Sequence, residues 1–322
     1  MPLTVDDLHQ LLWSFASHRV ITVAGRTGLL TALAQRPLTP EAAAEQLGLE
    51  PLATGKMMRA LTALGLLQRD PDGYRVAPEL APSLAPGPGS LTHFLEHSHA
   101  MYERWGERLE PWLRGEVWTP RPRGTEETRR FGEAMRGMGR QLAGLLAGRL
   151  DLTGVRRVLD VGGGFGHHAE SLCALGQAIE ATVLDRPDVV ELARQEPHAA
   201  ALRFIGADYL EGDYDGPYDL VLIANVLHQE RGDRAARLIQ RGAHALAPGG
   251  RLVVLDFSID DAKERQVVGA LFAINMRSFG DTHSEAEIRR WMEQAGLHPV
   301  ERVDLSPTRW LIIGHAGPGG AA

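Results

Sequence analysis

The residues best placed to do chemistry are a histidine that follows one apolar run and a cluster of glycines that follows another. Asn225-Val226-Leu227-His228 comes directly after YDLVLIA. Histidine titrates near neutrality, so His228 can take up or release a proton at physiological pH. Val158-Leu159-Asp160-Val161 runs into Gly162-Gly163-Gly164-Phe165-Gly166. A strand, a glycine turn and a helix start form a nucleotide site, because glycines let a ligand approach the backbone and free N–H groups face it. Asp185 closes the next apolar run, where a carboxylate accepts hydrogen bonds from both ribose hydroxyls. Asp208, after the third run, is placed to reach an adenine edge, with Tyr209 beside it to lie against the ring. A dinucleotide loop, Gly-x-Gly-x-x-Gly, would need glycine at position 167, which is His167. The motif is instead Asp-x-Gly-x-Gly-x-Gly, Asp160 to Gly166.

Alternating strands and helices must position these residues. RVLDV, ATVLD, LRFIG, YDLVLIA and RLVVLDF are separated by helical segments, and Pro248-Gly249-Gly250 precedes the last. Runs apolar on both faces suit a parallel sheet covered on each side, so residues 151–322 are expected to form a doubly wound α/β domain. A helix over about 284–295 leads to HPVERVDL and TRWLIIGH, a closing hairpin, and the final GHAGPGGAA is expected to be disordered.

Residues 1–90 form a different, mostly α domain. Thr39-Pro40-Glu41 starts a helix that stops at Gly48, a second runs from about Leu52 to Leu64, and Pro71-Asp72-Gly73 turns a short hairpin. Helix, helix, hairpin is the winged-helix order. APSLAPGPGS (81–90) is a connector, and residues 91–150 carry two helices, over about 91–113 and 126–150.

Bulk properties exclude several classes. The chain has 322 residues, a net charge of −7 and 44% apolar residues, which favours neither nucleic acid nor anionic lipid. Residues 1–90 hold seven Lys/Arg against eight Asp/Glu, and the second winged helix offers only Lys56 and Arg59, so packing or dimerisation is expected rather than DNA binding. Cys173 is the one cysteine, which rules out an intrachain disulfide and a multi-cysteine metal site. No apolar run approaches the ~20 residues of a bilayer span, and the start lacks a signal-peptide pattern, so a soluble cytoplasmic protein is expected.

MMRALTALGLLQR, FGEAM, VLDVGGGFGHHAESL, TVLDRPDVVELA, DLVLIANVLH, AHALAPGGRLVVLDF and AEIRRWMEQAGL together resemble the plant-type small-molecule O-methyltransferases and their bacterial relatives. The resemblance covers nearly the whole chain. It implies a winged-helix dimerisation domain, a class I (Rossmann-like) methyltransferase domain and a homodimer. It also implies S-adenosylmethionine held by Gly162, Gly164, Asp185, Asp208 and Tyr209, and a small, aromatic, hydroxylated acceptor. His228 aligns with the family's base and Asp256 with the first of two acids that orient it. The second acid's position falls at Thr282, with His283 beside it near the acceptor, and Gln229-Glu230 stands where Asp-Trp is common. Phe131, Met135, Phe272 and Met276 are candidate acceptor-pocket walls, and no metal site is assigned. Two alternatives stay open: C-methylation of an enolisable keto acid with His228 and His283 as metal ligands, and a winged-helix regulator that senses S-adenosylmethionine.

Overall fold

A computed structural model describes residues 3–87, 90–117, 123–175, 178–197, 202–277 and 279–319. The chain divides into two compact units, residues 1–111 with 133–138, and residues 112–132 with 139–322. The boundary expected at residue 90 thus falls inside the first unit.

The first unit begins with α1 (Val5–Arg26), started by a reciprocal capping box in which Thr4 and Asp7 bond each other's backbone N–H. Next come α2 (Leu29–Gln35), α3 (Pro40–Leu47) and α4 (Pro51–Ala63). Thr39 caps α3 and Gly48 ends it in the left-handed region, as its sequence requires. The antiparallel hairpin β1 (Leu67–Asp70) and β2 (Gly73–Val76) follows. Leu29, Leu30, Leu33, Met58, Leu61, Leu67 and Val76 form the core. The expected connector begins instead with a one-turn helix, α5 (Ala81–Leu84); its residues 88 and 89 lie outside those described. Two long helices, α6 (Thr92–Leu113) and α7 (Thr125–Ala147), each contribute residues to both units.

The second unit is built on a seven-stranded sheet. Its strands are β3 (Arg157–Val161), β4 (Glu180–Asp185), β5 (Arg203–Gly206), β6 (Tyr218–Ala224), β7 (Leu246–Phe257), β8 (Val300–Ser306) and β9 (Arg309–His315), in spatial order β5-β4-β3-β6-β7-β9-β8. The first five are parallel neighbours; β9 inserts antiparallel between β7 and β8. One core, with Leu238, Ile239, Trp291 and Met292, lies under α10 (Gly232–His244) and α12 (Glu285–Gln294). Another, with Phe165, Leu172, Val190 and Leu192, lies under α8 (His167–Cys173) and α9 (Pro187–Ala193). This is the doubly wound arrangement that the two-sided apolar strands demand. The tail departs from expectation: Gly314 and His315 belong to β9, and Ala316 and Gly317 bond to Gly250 and Gly249. Residues 320–322 lie outside those described.

Candidate active site

The candidate residues gather at the carboxyl ends of β3, β4, β6 and β7, where open α/β sheets place their ligands. After β3 the chain turns at Gly162 with φ +66°, and a Cβ there would stand 2.6 Å from a Val226 methyl carbon, so this position needs glycine. Asp185, closing β4, accepts the Gly164 N–H at 2.8 Å and the Arg186 N–H at 2.7 Å, which holds its carboxylate beside the glycine turn. Each oxygen keeps a lone pair for a hydroxyl donor. Burial pushes the Asp185 carboxyl up. Asp208 follows β5 and accepts the Leu210 N–H at 2.7 Å.

Asp160 is fully buried, and neither carboxyl oxygen has a hydrogen-bond partner. Burial raises it to about 7; the Ala169 amide offsets part of this without closing a hydrogen bond, and the Asp185 charge adds to it. A buried orphan acid beside a glycine turn and a second acid is a polar cradle awaiting donors. Carboxylate acceptors here suit a nucleoside carrying ribose hydroxyls and a positively charged group.

Tyr209 follows Asp208 after β5. Its hydroxyl donates to Glu230 Oε1 at 2.8 Å, and Glu230 pairs with Arg234 at 2.5 Å. Burial and the neighbouring Glu230 carboxylate push the phenol well above its ordinary value.

His228 lies in a single 3-10 turn, Leu227–Gln229, after β6, and is 6% exposed. β6 and β7 are parallel neighbours, with Ala224 opposite Leu255, so the residues just past them meet. His228 Nδ1 donates to Asp256 Oδ1 at 2.8 Å, and the His228 backbone N–H donates to Oδ2 at 3.1 Å. A third donor, Phe257 N–H, reaches Oδ1 at 2.8 Å. Burial acts to raise Asp256, but the His228 ring, these hydrogen bonds and Arg309 outweigh it and hold the carboxyl below its usual value. Among the described residues His228 Nε2 has no hydrogen-bond partner, so the tautomer set by Asp256 leaves it as a free acceptor. Phe272, on α11 (Val267–Met276), meets the ring edge-on at 4.8 Å.

His283 is used differently. Its Nε2 donates to the Glu230 backbone carbonyl at 2.9 Å and its ring meets Trp291 edge-on at 5.0 Å, while Nδ1 is buried without a partner. Burial lowers its pKa. Beside it Thr282 is buried, with its hydroxyl unpaired. Of the candidate walls, Phe272 and Met276 lie on α11 and Phe131 sits under the Arg123 guanidinium at 4.1 Å, all in the second unit. Met135 belongs to the first unit. Among the described residues no three His, Cys, Asp or Glu side chains converge to hold a metal ion.

Sequence reading gave no role to Glu230, Phe257 or Arg309. The i,i+4 pair Glu230–Arg234 was visible as a spacing, but Phe257 and Arg309 meet only through the β7–β9 pairing.

A glycine turn with Asp160 and Asp185 thus shares one edge of the sheet of a doubly wound α/β domain with a buried His–Asp pair. The O-methyltransferase domain family matches residues 107–298 and the O-methyltransferase dimerisation domain matches residues 9–79. The chain belongs to the O-methyltransferase family and is an S-adenosylmethionine-dependent methyltransferase. It is 30% identical to 3-hydroxy-5-methyl-1-naphthoate 3-O-methyltransferase from Streptomyces sahachiroi, over 94% of this chain and 91% of that protein. It is 29% identical to the tetracenomycin polyketide synthesis 8-O-methyl transferase of Streptomyces glaucescens, over 96% of each. Human N-acetylserotonin methyltransferase, solved in complex with SAM, shares the fold with a TM-score of 0.86 at 22% identity, covering 98% of this chain and all of that one. Neither the C-methylation nor the regulator alternative draws support from these relatives.

Proposed function

We propose that this enzyme methylates a phenolic hydroxyl of a small aromatic, polyketide-type acceptor, with His228 as general base, and works as a homodimer. One observation carries the mechanism: Asp256 fixes the His228 proton on Nδ1 and leaves Nε2 free. The naphthoate and tetracenomycin enzymes support the acceptor class, and the dimerisation domain supports the assembly.

Bound S-adenosylmethionine supplies a methyl group on a positively charged sulfur. Gly162 and Gly164 would let it approach the backbone, Asp185 would accept from its ribose hydroxyls, and Asp208 and Tyr209 would hold its adenine. His228 would remove the acceptor's hydroxyl proton at Nε2 as the oxygen bonds to the methyl carbon and the methyl–sulfur bond breaks, its electron pair staying on the sulfur of departing S-adenosylhomocysteine; a phenolate is a far stronger nucleophile than a phenol. Asp256 balances the resulting imidazolium. A positioned base of this kind contributes roughly 10²–10⁴-fold in rate, and alignment of acceptor and methyl group contributes the rest.

The test is transfer of labelled methyl from S-adenosylmethionine to a panel of hydroxynaphthoates, hydroxyquinones, simple phenols and α-keto acids, with and without a chelator. Labelled aryl ether that survives the chelator is the expected product. Chelator-sensitive labelling of carbon in a keto acid would overturn the reading.

A further inference from the structure

We propose that Arg309 is a positioning residue for the His228–Asp256 pair, acting through a stack on Phe257 and Phe272; the proposal rests on His228 being the base. Arg309 opens β9, directly opposite Phe257 in the β7–β9 pairing. Its guanidinium lies 3.2 Å above the Phe257 ring centroid. Phe257 stacks on Phe272 at 3.9 Å and 24°, and both rings meet His228 edge-on, at 5.6 and 4.8 Å. Guanidinium and the two phenyl rings thus form one layered group against which the imidazole sits edge-on, with its Nδ1 on Asp256.

The choice of arginine needs explaining. The side chain is 8% exposed, its Nε is buried without a partner, and Nη1 reaches only the Thr308 carbonyl, at 3.4 Å. Among the described residues no carboxylate lies within ion-pair distance of it. Burying a cation in this way is costly, and an apolar side chain would cover Phe257 without the penalty. Burial pushes the guanidinium down to about 10, so it is still charged at neutral pH, and the one opposing influence is the charge on Asp256. The influence is mutual, since Arg309 helps hold Asp256 ionised. The His228 ring bonds a single carboxylate, and the nearby cation helps keep that carboxylate charged. The face of the same cation clamps the aromatic shelf that sets the direction of His228 Nε2.

The test compares the full-length enzyme with Arg309→Met, Arg309→Lys and Phe257→Leu. Other charges bear on the pair: His283 also senses Asp256, and Lys263 and Glu287 face His283. All of them are unchanged in the variants. Arg309→Met is expected to lower kcat about tenfold, the size of a coupling near 1.4 kcal/mol, with KM for S-adenosylmethionine held within about twofold. Loss of the cation removes a positive charge from beside the pair, so the acid limb of the kcat profile moves to higher pH. Arg309→Lys restores the acid limb, but not kcat, because an ammonium lacks the planar face. The downfield Nδ1–H proton resonance of His228, assigned by its loss in His228→Ala, broadens or shifts in Arg309→Met.

Wild-type kcat, pH profile and resonance in Arg309→Met would overturn the proposal. Should that variant not fold, Phe257→Leu decides, because it breaks the stack with the cation kept; an unchanged resonance there sinks the idea. If His228→Ala still transfers methyl, the base assignment falls. The resonance in Arg309→Met then still decides whether Arg309 positions the pair.

Discussion

At the scale of single residues, Asp256 does two jobs, receiving the His228 ring and fixing the backbone of its turn. Asp256→Asn keeps the shape but lets the amide donate, which favours the wrong imidazole tautomer. The expected outcome is a fall in kcat of about 10²–10⁴-fold, as for a triad aspartate changed to asparagine, with S-adenosylmethionine affinity unchanged by calorimetry.

Two buried groups outside the proton transfer contribute opposing slopes to the response of stability to pH. Burial lowers His168 to about 4, and neither ring nitrogen has a hydrogen-bond partner. Its folded pKa lies below the unfolded one, so stability falls as pH drops from the unfolded value toward 4, by about 3 kcal/mol at most. Asp160 is the opposite case: raised to about 7, it costs stability as pH climbs from 3.8 to 7. The two slopes oppose each other between about pH 4 and 6.5. Denaturant melts of His168→Leu across this window should show the Asp160 slope unmasked, and Asp160→Asn the His168 slope. Parallel pH curves for wild type and both variants would show that neither group titrates as described.

At the scale of elements, the catalytic pairing follows from sheet register. β6 and β7 were legible as apolar runs, but the pairing of His228 with Asp256 was implied by the family resemblance alone; the parallel register of the two strands is what brings them together. Arg309 was not readable, because TRWLIIGH looks the same whether it lies at the sheet edge or inserts between β7 and β8. The Tyr209–Glu230 bond was hidden for a related reason: it joins two loops on different strands, and no periodicity reports loop contacts. The ordered tail was missed because glycines suggest disorder, whereas Ala316 and Gly317 continue the β9 backbone bonds.

The turn carrying His228 is also held from behind. The Asp281 N–H donates to the His228 carbonyl at 3.1 Å, and a Cβ on Gly280 would collide with that same oxygen. Gly280→Ala must therefore displace the turn, at a cost of about 1–3 kcal/mol typical of overpacking. A melting temperature lowered by several degrees together with a reduced kcat is expected. A variant with native stability and kcat would show that the turn yields freely.

At the scale of the whole molecule, the first unit exposes more apolar surface than a lone domain needs. Along α1, Leu8, Leu11, Leu12, Trp13 and Phe15 are each at least half exposed. Such a stripe in a dimerisation domain supports burial against a second copy. Leu12→Glu with Trp13→Glu is expected to halve the mass measured by light scattering; an unchanged mass would place the dimer contact elsewhere. No helix among the described residues is long and apolar enough to cross a membrane.

Single-turnover methyl transfer by His228→Ala tests directly whether His228 is the base. With S-adenosylmethionine binding confirmed as intact by calorimetry, the labelled ether should form at least about 10²-fold more slowly than in wild type, the low end of what a positioned base contributes. Transfer at the wild-type rate with the acceptor's hydroxyl still protonated at the working pH would contradict it.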